Sequence, residues 1–399
     1  MAGSRNKGLF SSVPLRVRWQ IYAEIFSTIG FGYLLIVITA YLPQVNVGAG
    51  TIGLILGIQG IVLILAGIPL GILSDRKGRK WMIVFGSLLL PPTIIVFALT
   101  TQLEYLLFAS VVSGVAEAAS LSSWNAIIAD QTSLENRDAA FSLSFIIFTV
   151  GTALGSLLPL FFPALESMLA ISSEVIHREF LVLFGLLAFA TPALLFFLLR
   201  NYNEQIHASS GGRPSTTLIK FSGMNGLIGL GAGFIIPLIA TWFYYKFGLP
   251  DTYSGPLLAV AGITIGIAAV VSPRLSRRYG LTRSIVLTEG LSTVFMFSLV
   301  FVHYAALAGL VYVVRAALMN MSAPLNDSFL MGITPPGERG LASSVNTIFW
   351  RIPNSFTTII GSVILLSGNY DLPFLLATIF YAASIIGFYV MFRKVNPVG

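Results

Sequence analysis

The chain has 399 residues, of which 56% are hydrophobic and 10% are charged, with 38 glycines and 30 phenylalanines. Many stretches of about 20 residues are nearly free of charge, and that is the length an α-helix needs to cross a bilayer. This composition excludes a string of soluble domains and predicts a polytopic membrane protein. The absence of cysteine excludes disulfides and thiol chemistry.

The apolar stretches, separated by short polar breaks, predict an all-α membrane protein with twelve transmembrane helices. The first 18 residues are basic and polar without a cleavable apolar core, so we expect the first helix to direct insertion itself. In chain order the twelve helices are predicted at about 19–43, 51–73, 81–100, 103–129, 139–163, 179–199, 217–246, 254–273, 283–303, 306–332, 341–367 and 372–392.

A charged hairpin connects the second and third predicted helices. The stretch reads Gly-Ile-Leu-Ser-Asp-Arg-Lys-Gly-Arg-Lys over residues 71–80. Gly71 lets the end of the second helix approach a neighbouring helix closely, and Gly78 suits a tight turn with positive φ. The carboxylate of Asp75 can accept hydrogen bonds from a helix N-terminus or pair with an arginine. Arg76 and Arg79 supply positive charge at the same turn.

The net charge of +7 follows from where the basic residues lie. Most of the 23 lysines and arginines fall in the two termini and in loops that the helix count places on one side of the membrane. Such an excess marks the cytoplasmic side, so both termini are predicted to be cytoplasmic. The charge therefore indicates topology and contact with anionic lipid, and it does not indicate nucleic-acid binding.

The polar segment at 201–216 divides the chain into two six-helix bundles, predicted at 1–200 and 217–399. An internal repeat supports this division. A shift of 202 positions places Gly280 on Gly78 in the first pair of loops, and it places Arg339 on Arg137 in the second pair. Two loops that agree at one offset indicate a duplication of a six-helix unit.

The pattern G-x-L-x-D-R-x-G-R-K at 71–80 resembles the loop between helices 2 and 3 of the major facilitator superfamily of transporters, and specifically of its drug and metabolite efflux branch. The resemblance covers the whole chain, with a weaker second copy of the loop at 273–283. It implies that Gly71, Asp75, Arg76, Gly78 and Arg79 form a latch that holds the cytoplasmic side closed in the outward-open state.

Ionisable residues at membrane depth are costly there and usually face a cavity. Glu117 lies near the middle of the fourth helix, one of the helices that the resemblance implies line the central path, and it is our candidate for the coupling-proton site. The alternative is a structural ion pair with Arg315 or Arg351, and the two interpretations are compatible if protonation breaks the pair. Glu24 and Glu289 are expected to lie shallow enough for their carboxylates to reach the interface.

Other polar side chains at membrane depth predict the rest of a substrate cavity, because an unpaired amide in lipid is unfavourable. The predicted cavity residues are Asn125, Asn225, Trp242, Arg315, Asn320 and Arg351. Two glycine pairs, Gly151 with Gly155 and Gly262 with Gly266, predict close helix contacts. By resemblance these two pairs belong to the surface on which the halves rock.

We therefore predict a secondary active transporter that works by alternating access, without cofactor or metal, as a monomer in the inner (plasma) membrane. Its predicted partners are a small-molecule substrate, a coupling proton and lipid. Proton-coupled efflux of amphipathic compounds ranks first, and uptake or exchange of an organic anion or a sugar is the alternative. An intramembrane enzyme is not expected, since neither H-E-x-x-H nor G-x-S-x-G occurs. A sensor on a transporter fold would normally add a large soluble domain.

Overall fold

The computed structural model describes residues 10–133, 136–202, 214–335 and 338–395, and these residues form helices and turns without any strand. The first eight helices are α1 (Leu15–Ala23), α2 (Ile25–Ile36), α3 (Ala49–Lys77), α4 (Arg79–Leu99), α5 (Leu103–Asp130), α6 (Arg137–Leu157), α7 (Phe162–Leu169) and α8 (Ser173–Ala188). The remaining helices are α9 (Ala190–Leu198), α10 (Thr216–Gly233), α11 (Ile239–Phe247), α12 (Asp251–Tyr279), α13 (Leu281–Ser298), α14 (Ala305–Met321), α15 (Ala323–Gly332), α16 (Arg339–Leu366) and α17 (Leu372–Phe392).

Several of these helices join end to end into membrane-length rods. In the described part of the chain, 11 such rods are long and apolar enough to cross a membrane. The place of the predicted eighth helix is taken by α12, which is 29 residues long. The rods begin and end within about six residues of the predicted helices. The predicted all-α fold of twelve transmembrane helices is therefore confirmed in type and approximately in number.

The chain forms two compact units, which we describe separately. The first unit contains Met1–Leu35 and Val62–His207, and the second contains Ile36–Ile61 and Ala208–Gly399. The predicted linker at 201–216 lies mostly outside the described residues. The second unit includes a segment of the first predicted bundle, and its packing is built on small residues. A Cβ atom on Gly53 or Gly60 of α3 would overlap a serine of α16, so only glycine permits this approach.

The internal repeat is visible in the backbone. Gly78 ends α3 with φ 111°, and Gly280 ends α12 with φ 81°, both in the region that favours glycine. The amide of each glycine donates to the carbonyl of the serine four residues earlier, at 3.0 Å for Gly78 and 2.9 Å for Gly280. The helices after the second pair of loops, α6 and α16, begin at Arg137 and Arg339. The offset of 202 therefore joins equivalent turns and equivalent helix starts.

Close backbone contact also organises the first unit. A Cβ on Gly155 of α6 would overlap the carbonyl of Ile29 on α2, and a Cβ on Gly32 of α2 would overlap the backbone at Thr152 of α6. The glycines thus form a reciprocal contact inside one unit. Gly151 contributes to the same contact, since its Cβ would overlap Thr28. The predicted role of Gly151 and Gly155 in close helix packing is confirmed, and their described neighbour is α2. In the other predicted pair, a Cβ on Gly262 would meet no atom within 4 Å, so the close contact predicted there is not found at Gly262.

An aromatic cluster fills one end of the second unit. Phe221 of α10 stacks on Phe329 of α15 with ring centroids 5.4 Å apart, and Phe388 and Phe392 of α17 pack edge-on against the pair. Phe329 is fully buried, and the other three are nearly so. Fully burying one such ring contributes about 1.5–3 kcal/mol relative to exposure in water. The cluster fixes three helices, α10, α15 and α17, around the cavity described below.

Candidate functional site

A polar network lies at the end of the first unit that carries the charged loop. Nη1 of Arg79, the first residue of α4, lies 2.5 Å from Oδ2 of Asp130, the last residue of α5. The Tyr202 hydroxyl donates to the same oxygen at 2.5 Å. The side chains of Arg79 and Asp130 are only 13% and 8% exposed. The Asp130 carboxylate therefore joins the start of α4, the end of α5 and the segment that follows α9.

The environment of Tyr202 differs from that of a surface tyrosine. Burial raises the pKa of the Tyr202 hydroxyl well above its ordinary value. The hydrogen bond that this hydroxyl donates to Asp130 raises its pKa further, since loss of the proton would remove the bond and set two negative charges side by side. Tyr202 therefore remains a neutral donor to Asp130 at any physiological pH.

The other predicted latch residues surround this network. Gly78 has the positive φ that the sequence predicted for a tight turn, and it is buried. Gly71 is half-buried on α3, and Arg76 is exposed in the last turn of that helix. The side chain of Asp75 lies outside the described side chains. Between the loop and α5, the buried hydroxyls of Ser74 and Ser123 lie 2.9 Å apart and share a hydrogen bond.

Glu117 lies in the middle of α5, where that helix packs tightly on α4. The neighbouring residues Ala116 and Ala118 are buried, whereas Glu117 is half-buried. A Cβ on Gly86 of α4 would lie 2.8 Å from the Ala116 carbonyl, so the two helices touch beside this carboxylate. Asn125, two turns further along α5, is exposed. Both predicted residues thus lie on a helix long and apolar enough to cross a membrane, and neither is enclosed in the core.

A small cavity with polar walls lies inside the second unit. Its polar lining comes from Asn225 of α10, Glu289 of α13, Asn326 of α15 and Ser384 of α17, and phenylalanines of the aromatic cluster close one side. The Asn326 amide donates to Oε1 of Glu289 at 2.8 Å. The Asn225 amide donates to Oδ1 of Asn346 on α16 at 2.9 Å. The predicted cavity residue Asn225 therefore lines a cavity in the structure.

Glu289 is not the shallow, interface-reaching residue that the sequence suggested. It is 5% exposed and lies about two turns into α13, with its side chain directed into the bundle. The expectation assumed that a residue about two turns from a helix end can reach water. Instead, the face of α13 that carries Glu289 packs against α14, α15 and α17. Glu24, also expected to be shallow, lies at the α1–α2 junction with Oε1 buried and without a recorded hydrogen bond.

Arg315 is buried beside this cavity and is 3% exposed. Its Nη2 donates to the Tyr381 hydroxyl at 2.7 Å, and the guanidinium carbon lies 5.5 Å from the centroid of the same ring. Asn320, one turn and a half further along α14, donates back to the Ala316 carbonyl at 2.8 Å. The structure thus assigns Arg315 to the interior of the second unit and gives Asn320 a bond within its own helix.

The two remaining predicted cavity residues occupy different surroundings. Trp242 of α11 is fully buried, donates from its indole nitrogen to the Tyr370 carbonyl at 2.9 Å, and packs against Phe243 and Phe374. In this structure it is a packing residue, because the rings around it leave no open face. Arg351 of α16 is half-buried, with its guanidinium 5.8 Å from the ring centroid of Trp350.

Comparison with known families decides what this arrangement of helices is. The family model described as Major Facilitator Superfamily matches residues 22–356 and also 221–399. This chain belongs to that superfamily. It is thus a membrane transporter for a small-molecule substrate, as the charged loop and the repeat predicted. The second match begins in α10, so the family pattern recurs at the start of the second half, as a duplication requires.

Several relatives within the superfamily are resistance proteins. The chain is 26% identical over 369 residues to Multidrug resistance protein 1 of Bacillus subtilis, covering 90% of this chain and 91% of that protein. It is 24% identical over 311 residues to the class H tetracycline resistance protein of Pasteurella multocida, covering 75% of each. These relatives are consistent with the drug efflux branch that the charged loop indicated.

Solved structures share the facilitator fold. The nucleoside transporter NupG, as its D323A mutant, matches with a TM-score of 0.72 at 15% identity, covering 95% of this chain and 100% of that one. A bacterial homologue of the human lysosomal transporter Spinster, in an inward-facing and unoccupied conformation, matches with a TM-score of 0.73 at 16% identity and covers 98% of each chain. At such identities the likeness shows the fold alone.

Asp130, Tyr202 and Tyr381 are among the residues of these sites that were absent from the sequence-based candidates. Asp130 and Tyr202 follow the apolar stretches of α5 and α9, where a charge or a phenol looks like an ordinary loop residue. The duplication offers one signal for Asp130. This residue precedes the loop that carries Arg137, and that loop has its counterpart at Arg339 in the second half. Tyr381 sits in an apolar run of α17, and no local pattern distinguishes it from a packing tyrosine.

Proposed function

We propose that this protein is a proton-coupled secondary transporter that exports small amphipathic compounds across the inner (plasma) membrane of a bacterium. Both termini lie in the cytoplasm in this proposal, since the basic loops mark that side. The observation that carries the proposal is the similarity over nine-tenths of both lengths to a multidrug resistance protein. The match to a tetracycline resistance protein supports the same direction of transport.

Glu117 supplies the coupling site in this proposal. Glu117 is half-buried on α5 between two buried alanines, so this acidic residue is neither enclosed in the core nor fully exposed. Proton binding and substrate binding at one half-buried acid exclude each other, and this competition couples outward movement of substrate to inward movement of protons.

The alternative is proton-coupled uptake or exchange of an organic anion or a sugar. Arg315 and Arg351 are the observation in its favour, since two cations at membrane depth suit an anionic substrate. Arg315, however, is 3% exposed and bound to Tyr381, so in this conformation it offers no free face to a solute. That placement supports efflux over anion transport.

The test uses the purified protein in liposomes with an imposed pH gradient. A permanently charged lipophilic fluorescent cation is the first probe, because it cannot distribute as a neutral base. An antiporter accumulates this cation in the acidic compartment whatever the orientation of the protein, since substrate and proton move in opposite directions. A symporter of an organic anion instead moves a fluorescent anion into the alkaline compartment, and this result would select the alternative.

The matched variants lie on one helix. In Glu117→Gln we expect gradient-driven accumulation of the cation to fall at least tenfold, a factor that corresponds to about 1.4 kcal/mol. Exchange of labelled for unlabelled cation should continue in this variant. Glu104→Gln, in the exposed first turn of α5, is expected to transport as the unmodified protein does. Equal losses in both variants would remove Glu117 from the mechanism.

A further inference from the structure

The cavity of the second unit holds a carboxyl group that the proposed coupling site does not use. Glu289 lies on its wall, and the amides of Asn225 and Asn326 lie beside it. The residue is 5% exposed in the interior of the bundle. A polar cavity of this kind can hold water, which gives the carboxyl group a proton donor and acceptor without opening it to the lipid.

Glu289 has few hydrogen-bond partners for a buried carboxylate. Oε1 accepts one hydrogen bond, from the Asn326 amide at 2.8 Å, and the hydroxyl of Ser322 also acts on the group. Within the described residues of this unit, Glu289 forms no ion pair. A buried carboxylate is normally paired with a cation or held by several donors. A protonated acid, by contrast, can donate to the Asn326 amide oxygen while it accepts from the amide nitrogen.

A buried cation lies on the neighbouring helix without a carboxylate partner. Arg315 donates to the Tyr381 hydroxyl, a neutral group, and its Nε is buried with no hydrogen-bond partner. The Ser292 hydroxyl donates to the Arg315 carbonyl at 3.0 Å, and Ser292 lies one turn beyond Glu289 on the same face of α13. This bond places the backbone of α14 at Arg315 against α13 one turn from Glu289. The charges of Arg315 and Glu289 both act on the Tyr381 hydroxyl.

Apart from Glu289 and Arg315, no charged group of the described residues faces this site. From α14, Arg315 and Tyr312 face the site, and α17 contributes Tyr381. The side of α10 that lines the cavity is neutral. On α15, Asp327 is exposed, as are the basic residues in the last turns of α12, which are Arg274, Arg277 and Arg278. On α13 itself the nearest cation is Arg283, almost two turns earlier in the helix.

We propose that Glu289 is a second proton-binding site, and that its proton decides whether Arg315 binds Tyr381 or Glu289. With the proton in place, the acid is held by Asn326 and Arg315 stays on Tyr381. When the O–H bond breaks, the proton passes to water in the cavity and the electron pair remains on the carboxylate. Arg315 then leaves Tyr381 for the carboxylate, and this exchange moves α14 relative to α13 and α17.

Proton binding by Glu289 does not depend on whether protons drive transport. A role of the Glu289 proton in transport does rest on the proposed proton coupling. The inference extends that coupling to the second half of the chain, where Glu117 has no counterpart. It also gives a role to two buried groups of opposite charge that lie on adjoining helices and form no ion pair with each other among the described residues.

The test is infrared spectroscopy of the purified full-length protein in lipid as the pH is raised stepwise from neutral. Glu289→Gln removes the carboxyl group and keeps the shape of the side chain. The expected result is a protonated-carboxyl C=O band in the unmodified protein that Glu289→Gln lacks and that Glu104→Gln retains. If Glu289→Gln leaves every protonated-carboxyl band unchanged, Glu289 binds no proton and the inference is overturned.

A second pair of variants tests the exchange of partner. Tyr381→Phe removes the present partner of Arg315, so the guanidinium becomes available to the Glu289 carboxylate. A nearby positive charge stabilises the carboxylate, and we therefore expect the Glu289 proton to be released at least about tenfold more easily in this variant. Tyr312→Phe removes a buried hydroxyl on α14 that has no hydrogen bond to Arg315 in the structure, and it should leave the band as it is. Identical behaviour of the two variants would refute the exchange.

These measurements separate the inference from the proposed function. A Glu289 band that titrates, together with transport indifferent to the pH gradient, supports the proton site and refutes proton-coupled efflux. Gradient-driven efflux without a Glu289 band supports the proposed function and refutes the second site. Gel filtration of each variant, monitored by fluorescence, confirms that the protein compared is folded.

Discussion

The network around Asp130 gives a prediction whose size follows from its geometry. Asp130→Asn removes the negative charge that Arg79 contacts at 2.5 Å and that Tyr202 bonds at 2.5 Å. Breaking a fully buried pair costs about 3–5 kcal/mol, whereas an exposed pair contributes about 0–1 kcal/mol. Because the two side chains are 13% and 8% exposed and asparagine still accepts a hydrogen bond, we expect a loss of about 2 kcal/mol between these limits.

The assay is thermal unfolding of the purified protein followed by tryptophan fluorescence. For a unit of about 150–250 residues, 1 kcal/mol shifts the Tm by about 2–4 °C, so Asp130→Asn should lower it by about 4–8 °C. Glu179→Gln is the matched control, since it removes the carboxylate of an arginine pair whose side chains are 55% and 60% exposed. If the two variants lower the Tm equally, the burial of the Asp130 pair does not stabilise the first unit and the reasoning is wrong.

Two further predictions concern stability. Gly155→Ala should lower the Tm, because the new Cβ overlaps the Ile29 carbonyl and overpacking costs about 1–3 kcal/mol. The control is Gly262→Ala, whose Cβ meets no atom within 4 Å, and it should leave the Tm unchanged or slightly raised. Tyr202→Phe should cost about 1–2 kcal/mol through the lost bond to a carboxylate. Since the pKa of Tyr202 is raised in the folded state, its contribution is complete below about pH 10 and is lost as the pH rises through the folded value. The difference in Tm between the unmodified protein and Tyr202→Phe should therefore stay constant up to about pH 10 and narrow above it, and a difference that falls between pH 7 and pH 9 would contradict this account.

The fold was predictable because membrane spans and their loops carry strong local signals. A run of about 20 apolar residues permits few structures other than a spanning helix, and the turn at Gly78 required a glycine at positive φ, as Gly280 does at the equivalent position. The offset of 202 then related the two halves without any structure. In the first half, the helix ends differ most from the predicted ones at two places. α7 continues to Leu169, beyond the predicted end at 163, and α8, capped by Ser172, begins six residues before its predicted start at 179.

The site was predicted less completely, because a sequence gives the depth of a residue more readily than its direction. Glu289 and Trp242 illustrate this difference. Glu289 was placed at the interface and instead faces a cavity, whereas Trp242 was placed in a cavity and instead lies fully buried among aromatic rings. Which face of a helix meets a neighbour depends on contacts between distant segments, such as the one between Asp130 and Tyr202, and no local pattern encodes those.

Proton exchange for substrate is the central claim, and proton release on binding tests it most directly. The purified protein is held in a weakly buffered detergent solution with a pH indicator, and a permanently charged lipophilic cation is added. We predict that the cation acidifies the solution as it displaces a proton from Glu117, and that Glu117→Gln binds the cation without this acidification while Glu104→Gln retains it. Binding of the cation by the unmodified protein with no release of protons would contradict the account.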